Sequence, residues 1–157
     1  MTKLFRQTFF LSLLEVKKMQ EAIIQKLSAH NIKPSLQRLA IYSYLLERKN
    51  HPTVDMIYSD LHPSMPTLSK TTVYNTLKLF IENGLVQTIL IDDEELRFDA
   101  EILEHIHFKC TNCKTIHDIF VEQNPPENHF RPEFSLPQGF EANKTQYNIW
   151  GLCPNCK

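Results

Sequence analysis

The chain has 157 residues, 42% of them hydrophobic, and a formal net charge of −1. That length holds one ordinary domain or two small ones, and that apolar content excludes a disordered chain. The charge is uneven: residues 1–90 carry 11 Lys/Arg against 6 Asp/Glu, and residues 91–157 carry 6 against 12. A basic half beside an acidic half fits a polyanion reader joined to a cation binder, although ordinary surface variation gives the same pattern.

At the start, Lys3 and Arg6 precede the apolar run Phe9-Phe-Leu-Ser-Leu-Leu14, a loose likeness of a secretory leader. The run is short and no small-x-small cleavage site follows it. Met19 precedes the first well-patterned helix, so residues 1–18 are expected to be an N-terminal extension or the result of a mis-set start codon. No apolar stretch is long enough to span a bilayer, so the expectation is a cytoplasmic protein without a membrane partner. A first helix over 16–30 would place Met19, Ala22, Ile23 and Leu27 on one face, with Asn31 as its stop. Ser35 can cap a second helix reaching about Lys49, with Leu36, Leu39, Ala40 and Ser43 inward. His51 precedes Pro52, which pushes it out of helical geometry. Thr53 caps a short third helix striped by Val54, Ile57, Tyr58 and Leu61. His62-Pro63-Ser-Met-Pro66 is a loop. Ser69 caps a fourth helix, with Val73, Leu77 and Phe80 inward and Gly84 as its stop.

A hairpin follows, with Leu85–Ile91 and Leu96–Asp99 as strands and Asp92-Asp93-Glu94 as the turn. Helices followed by a two-stranded wing describe a winged helix, whose fourth helix would enter the major groove of DNA. The outward residues of that helix, Lys70, Thr71, Thr72, Asn75 and Lys78, can meet base edges and phosphates. A merely solvated helix face reads the same way, and the basic half-chain and the wing favour DNA.

The segment His105-Ile-His-Phe-Lys-Cys110-Thr-Asn-Cys113 reads as a strand, and alternate strand residues share a face, so His105 and His107 point the same way. All four cysteines lie in C-x-x-C pairs: Cys110 with Cys113, and Cys153 with Cys156. Four thiolates suit a tetrahedral structural zinc ion. The 39 residues between the pairs would make that ion a staple across a long loop. Two redox-active dithiols or two disulfides are the competing readings. Thr115–Val121 and Lys144–Cys153 read as further strands, able to pair across a two-fold axis in a homodimer.

Pro34-Ser-Leu-Gln-Arg38, His51-Pro-Thr-Val-Asp-Met-Ile-Tyr58, Ser69-Lys-Thr-Thr-Val-Tyr-Asn-Thr-Leu77 and Gly84-Leu-Val86 resemble the ferric uptake regulator family of bacterial repressors. Arg97-Phe-Asp99, His105-x-His107 and both cysteine pairs continue the resemblance, which runs from Met19 to Cys156. Within the family the chain is most similar to the peroxide-stress repressors, by Asn75 where iron regulators usually carry Arg, and by Asp99 and Asp118 where they usually carry Glu. The resemblance implies an α+β protein. Residues 19–99 would form a winged helix-turn-helix DNA-binding domain. Residues 100–157 would form a small α/β metal-binding dimerisation domain with a four-cysteine zinc site.

The resemblance further implies that His51, Asp99, His105, His107 and Asp118 bind a regulatory ion. Three imidazoles and two carboxylates suit iron(II) or manganese(II). Such an ion would favour one arrangement of the two domains, fit for operator DNA. In peroxide repressors bound iron(II) reacts with hydrogen peroxide and neighbouring histidines are oxidised, with His51 and His105 the expected targets here. Manganese would give a repressor that resists peroxide. By the same resemblance Lys33 reaches the minor groove, while Tyr74 and Asn75 join Lys70 and Thr72 on the DNA. Relatives usually carry a helix before Gly139-Phe140, but Pro125, Pro126, Pro132 and Pro137 would break one here. His117 and His129 are expected at the surface. An iron- or zinc-responsive uptake regulator is the alternative within the family. A metallohydrolase or non-haem iron enzyme is the rival from another class. Five protein ligands leave such an enzyme little room for substrate, and 3 glycines give it no phosphate-cradling loop.

Overall fold

The computed structural model describes residues 3–92, 95–120 and 136–157, with side chains described from residue 16 onward. The Asp93-Glu94 turn, Val121, Pro125, Pro126, His129 and Pro132 lie outside the described residues. The chain divides into two compact units, Met1–Ile102 and Leu103–Lys157. Among the described residues no helix is long and apolar enough to cross a membrane.

The first unit holds helices α1 (Lys3–Ala29), α2 (Leu36–Arg48), α3 (Val54–Leu61) and α4 (Lys70–Glu82), then strands β1 (Gln87–Ile89) and β2 (Arg97–Asp99). Local chemistry sets most of these ends. The hydroxyls of Ser35, Thr53 and Ser69 accept the amides of Arg38, Met56 and Thr72, capping α2, α3 and α4. Two helices stop in the same way. Asn31 takes φ 59° and Gly84 takes φ 68°. The amide of Ile32 then donates back to Leu27 and that of Leu85 to Phe80, which satisfies carbonyls the helix leaves open. β1 and β2 pair antiparallel, Thr88 opposite Phe98. These strands are shorter than Leu85–Ile91 and Leu96–Asp99.

Two inward faces differ from expectation. Among the described side chains of α1 only Ile23 and Leu27 are buried, while Met19 and Ala22 face out, and the helix runs back to Lys3 instead of starting near 16. On α2 the buried residues are Ile41, Tyr42, Tyr44 and Leu45. Leu36 is 79% exposed, and Leu39, Ala40 and Ser43 are half-buried. The cause is rotation: each residue turns the helix by about 100°, and the aromatic pair Tyr42 and Phe80, ring centroids 5.5 Å apart, fixes which side faces α4. Val73, Leu77 and Phe80 are fully buried on α4, with Ile57 of α3 and Leu27 of α1 in the same cluster. Leu77→Ala should therefore lower the stability of this unit by about 2–5 kcal/mol, read as a shift in urea unfolding followed by helical circular dichroism. A loss under about 1 kcal/mol would mean the core does not close on α4 as described.

The second unit holds β3 (Ile106–Cys110), β4 (Ile116–Ile119), β5 (Tyr147–Gly151) and a 3-10 turn (Pro154–Cys156). The sheet order is β4-β3-β5. β4 returns antiparallel to β3, placing His107 opposite Asp118, and β5 runs parallel to β3, placing Cys110 opposite Gly151. That register brings the C-terminal cysteines beside the first pair.

Candidate metal centres and nucleic-acid interface

The four cysteine sulfurs lie within 4.8 Å of one another, and none is in a disulfide. A tetrahedral ion with bonds of about 2.3 Å to sulfur sets neighbouring sulfurs about 3.8 Å apart. Cys113 Sγ and Cys153 Sγ are separated by 3.8 Å, so the donor set fits zinc and not two disulfides. The loop after β3 turns at Lys114, φ 64°, where its amide donates to the Cys110 carbonyl. The amide of Cys153 donates to Cys110 Sγ at 3.4 Å. That bond is the leading cause pulling the Cys110 thiol down to about 6. The Thr115 hydroxyl, 3.3 Å from Cys113 Sγ, favours that thiolate and lowers its pKa as well. Burial pushes Cys153 the other way, up to about 12. A cation is what lets all four be thiolates together, because coordination deprotonates a thiol outright.

The five imidazole and carboxylate positions divide between the units. In the second unit, His105 and His107 share a face, with ring centroids 4.4 Å apart and Nε2 atoms 2.9 Å apart. Two nitrogens bound side by side to a six-coordinate ion lie about 3 Å apart. Asp118 Oδ1 is 3.6 Å from His105 Nε2 and 3.9 Å from His107 Nε2. His105 Nδ1 is 2.7 Å from the Leu103 carbonyl. Its N–H donates there, which orients the ring and makes Nε2 the lone-pair nitrogen, as in metal-bound histidines. This cluster fits a divalent ion with nitrogen and oxygen ligands.

In the first unit, donor atoms of His51 and Asp99 come within 4.8 Å of each other. Asp99 is held by the Glu101 amide, which donates to Oδ1 at 2.8 Å, and by Gln87 Nε2, 3.3 Å from Oδ2. His51 has a left-handed backbone, φ 49°, and its carbonyl accepts from Arg97 Nη1 at 3.0 Å. The sequence reading placed Arg97 in a motif but gave it no role; a contact across 46 residues leaves no local signal.

Of the residues expected to meet DNA, Lys33, Lys70, Tyr74 and Asn75 are exposed, with Tyr74 at 54%. Thr72 is half-buried and its Oγ1 lies 2.8 Å from Ser69 Oγ, so that hydroxyl serves the helix cap. Lys70 Nζ pairs with Asp55 at 2.9 Å, a partner on α3 that the sequence reading missed. Such an exposed pair contributes little and can yield to phosphate. Glu82 sits 3.9 Å from Lys78 on the same face. His117 is exposed.

A sequence model of the ferric uptake regulator family matches residues 29–146. The peroxide-responsive repressor PerR of Staphylococcus aureus (strain Mu50 / ATCC 700699) is 33% identical over 137 residues, covering 87% of this chain and 90% of that protein. The fold matches the ferric uptake regulator of Vibrio cholerae, with TM-score 0.60 and 19% identity, over 83% of this chain and 98% of that one. It also matches the manganese-bound ferric uptake regulator of Pseudomonas aeruginosa, with TM-score 0.59 and 19% identity, over 83% of this chain and 96% of that one.

Proposed function

Because this chain belongs to the ferric uptake regulator family, we infer that it is a metal-dependent transcriptional repressor that binds operator DNA as a homodimer and lets go under peroxide. The observation that carries the reading is the separation of two donor chemistries. One set is all sulfur; the other is imidazole and carboxylate alone. The sulfur set, Cys110, Cys113, Cys153 and Cys156, holds a structural zinc ion with no open position for chemistry. His51, Asp99, His105, His107 and Asp118 hold the regulatory iron(II) or manganese(II). Bound iron(II) would supply activation of hydrogen peroxide, in which one peroxide oxygen replaces a hydrogen on a neighbouring imidazole carbon and the other leaves as water. His51 and His105 are the residues that would take up oxygen. The relative named above is a peroxide-responsive repressor, which supports the same sensing mode.

The test compares iron-loaded and manganese-loaded protein treated with hydrogen peroxide. The expected result is one added oxygen atom on peptides carrying His51 or His105, and lost operator binding, in the iron form alone. Unmodified histidines in the iron form, with DNA binding that follows metal supply only, would instead mark an uptake regulator. Five protein donors would leave little room for a substrate on the ion, which favours a sensor over a turnover centre.

The exposed face of α4 supplies the DNA contacts of this reading. Asn75→Ala should weaken operator binding by about 5–150-fold, the range for one lost bidentate base contact, and leave manganese and zinc content unchanged. Lys70→Ala should weaken operator and random DNA alike. Fluorescence anisotropy with both duplexes separates these outcomes; equal affinity of the wild type for the two would remove the basis of the Asn75 assignment. Lys33 is assigned to the minor groove. The homodimer is supported by exposed apolar residues on and beside the edge strands β4 and β5: Ile119, Phe120, Trp150 and Leu152. Rows of this kind call for a partner surface. A repressor of this type works in the cytoplasm, where its DNA is.

A further inference from the structure

His51 carries a backbone conformation that its sequence disfavours. Its φ of 49° is left-handed, it is not glycine, and it stands immediately before Pro52. Both a β-carbon and a following proline work against that geometry. Something must hold it, and two contacts from β2 do. Arg97 Nη1 donates to the His51 carbonyl at 3.0 Å, and the Phe98 amide donates to the Pro52 carbonyl at 3.0 Å.

Arg97 is itself fixed from other sides. Its Nε donates to Asp92, at the start of the turn between β1 and β2. Its Nη1 also lies 3.8 Å from Met56 Sδ on α3. Side-chain exposure is 19% for Arg97 and 14% for Asp92, so the pair is largely out of water. A planar guanidinium can serve a carboxylate and a carbonyl in fixed directions at once, which a lysine ammonium cannot. Arg97 and Asp99 are alternate residues of one strand and share a face, and Asp99 is the other metal-ligand candidate of this unit.

We propose that Arg97 is a positioning residue for the regulatory metal: it pins the left-handed backbone of His51 so that its imidazole meets Asp99, and through Asp92 it ties that ligand to the wing. The proposal rests on the reading of His51 and Asp99 as ligands. Metal capture at His51 then stiffens the wing within the same unit, and a loosened wing weakens capture.

The test uses the full-length zinc-loaded protein and its Arg97→Leu, Arg97→Lys, Asp92→Asn and His51→Ala variants. Manganese affinity is read from the electron paramagnetic resonance signal of free manganese(II). Amide exchange of residues 87–92 and 95–99 is read with and without the ion. Arg97→Leu should lose about 10–100-fold in manganese affinity, as other partners that orient a ligand do. Its zinc content should stay near wild type, while its thermal transition should fall because Asp92 loses its largely buried partner. Arg97→Lys should recover part of that loss. Asp92→Asn keeps the bond to His51, so it should bind manganese nearly as well as wild type but lose the slowing of wing exchange that the ion causes. Wild-type affinity in Arg97→Leu, beside a weakened His51→Ala, would overturn this proposal and spare the ligand assignment. Unchanged affinity in His51→Ala would overturn the assignment and the proposal together. Asp92→Asn offers the second readout should Arg97→Leu fold poorly, and wing exchange that still responds to manganese in that variant would overturn the link to the wing.

Discussion

Cys153→Ser is expected to remove the zinc and unfold residues 103–157 while leaving the helical unit intact. The reason lies in how small the apolar core is among that unit's described residues. Among its described residues the buried apolar side chains are Ile106, Ile116, Cys110 and Cys153, and two of those four are the proposed ligands. A sheet of three short strands with so small a core cannot offset the entropy of ordering its chain. Structural zinc contributes roughly 10–16 kcal/mol in small zinc-dependent folds, which is far more than two isoleucines supply at about 1.5–3 kcal/mol each. The cysteine pairs also close the long connection between β4 and β5, so losing the ion frees β5 from β3. The expected readings are zinc content falling from one per chain to near zero, loss of amide protection in β3 and β5, and loss of the proposed homodimer. The urea transition of the helical unit should move by less than about 1 kcal/mol, since its core lies within its own residues. A second unit that keeps its protected amides without zinc would show that the cysteines do not hold it.

What could be read from the sequence, and what could not, follows the range of the interactions. Ser35, Thr53 and Ser69 cap helices through bonds to the third residue on, and Asn31 and Gly84 stop them through their own φ, so each signal lies within a few positions. Alternation along a strand is equally local, and it placed His105 and His107 on one face. The inward face of α2 is not local. It depends on where Tyr42 meets Phe80, 38 residues on, and the periodicity of Leu36, Leu39 and Ala40 could not decide it. The parallel register that sets Cys110 opposite Gly151 is likewise a long-range match. The strands at 105–113 and 144–153 were legible as the carriers of the two cysteine pairs, but not the parallel pairing and register between them. The strain at His51 shows the limit from another side. Pro52 argued against a helical backbone there, which holds, but the left-handed alternative is held in part by Arg97 and Phe98, more than forty residues away.

His51→Ala and His107→Ala should fail in different ways, and the difference tests how the metal controls DNA binding. An ion that binds two arrangements of a protein equally shifts nothing, however tightly it binds. Moving a population from 1:99 to 99:1 takes about 5.5 kcal/mol of differential affinity. In the second unit His105, His107 and Asp118 already form a cluster of their own. An ion held by them alone would have no preference among arrangements of the chain. On the proposed reading the differential comes from His51 and Asp99, the candidate donors of the first unit. His107→Ala should therefore lose manganese binding outright, by more than the roughly 10–100-fold that loss of an orienting partner costs, and with it all metal-dependent operator binding. His51→Ala should keep weak manganese binding at the three remaining donors of the second unit, yet saturating manganese should no longer raise its affinity for the operator. Zinc content should stay at one per chain in both. Calorimetric manganese titration beside anisotropy with operator DNA reads the two quantities separately. If saturating manganese still drives His51→Ala onto the operator as it does the wild type, His51 is not part of the switch, and the coupling between metal and DNA has to be sought in the second unit alone.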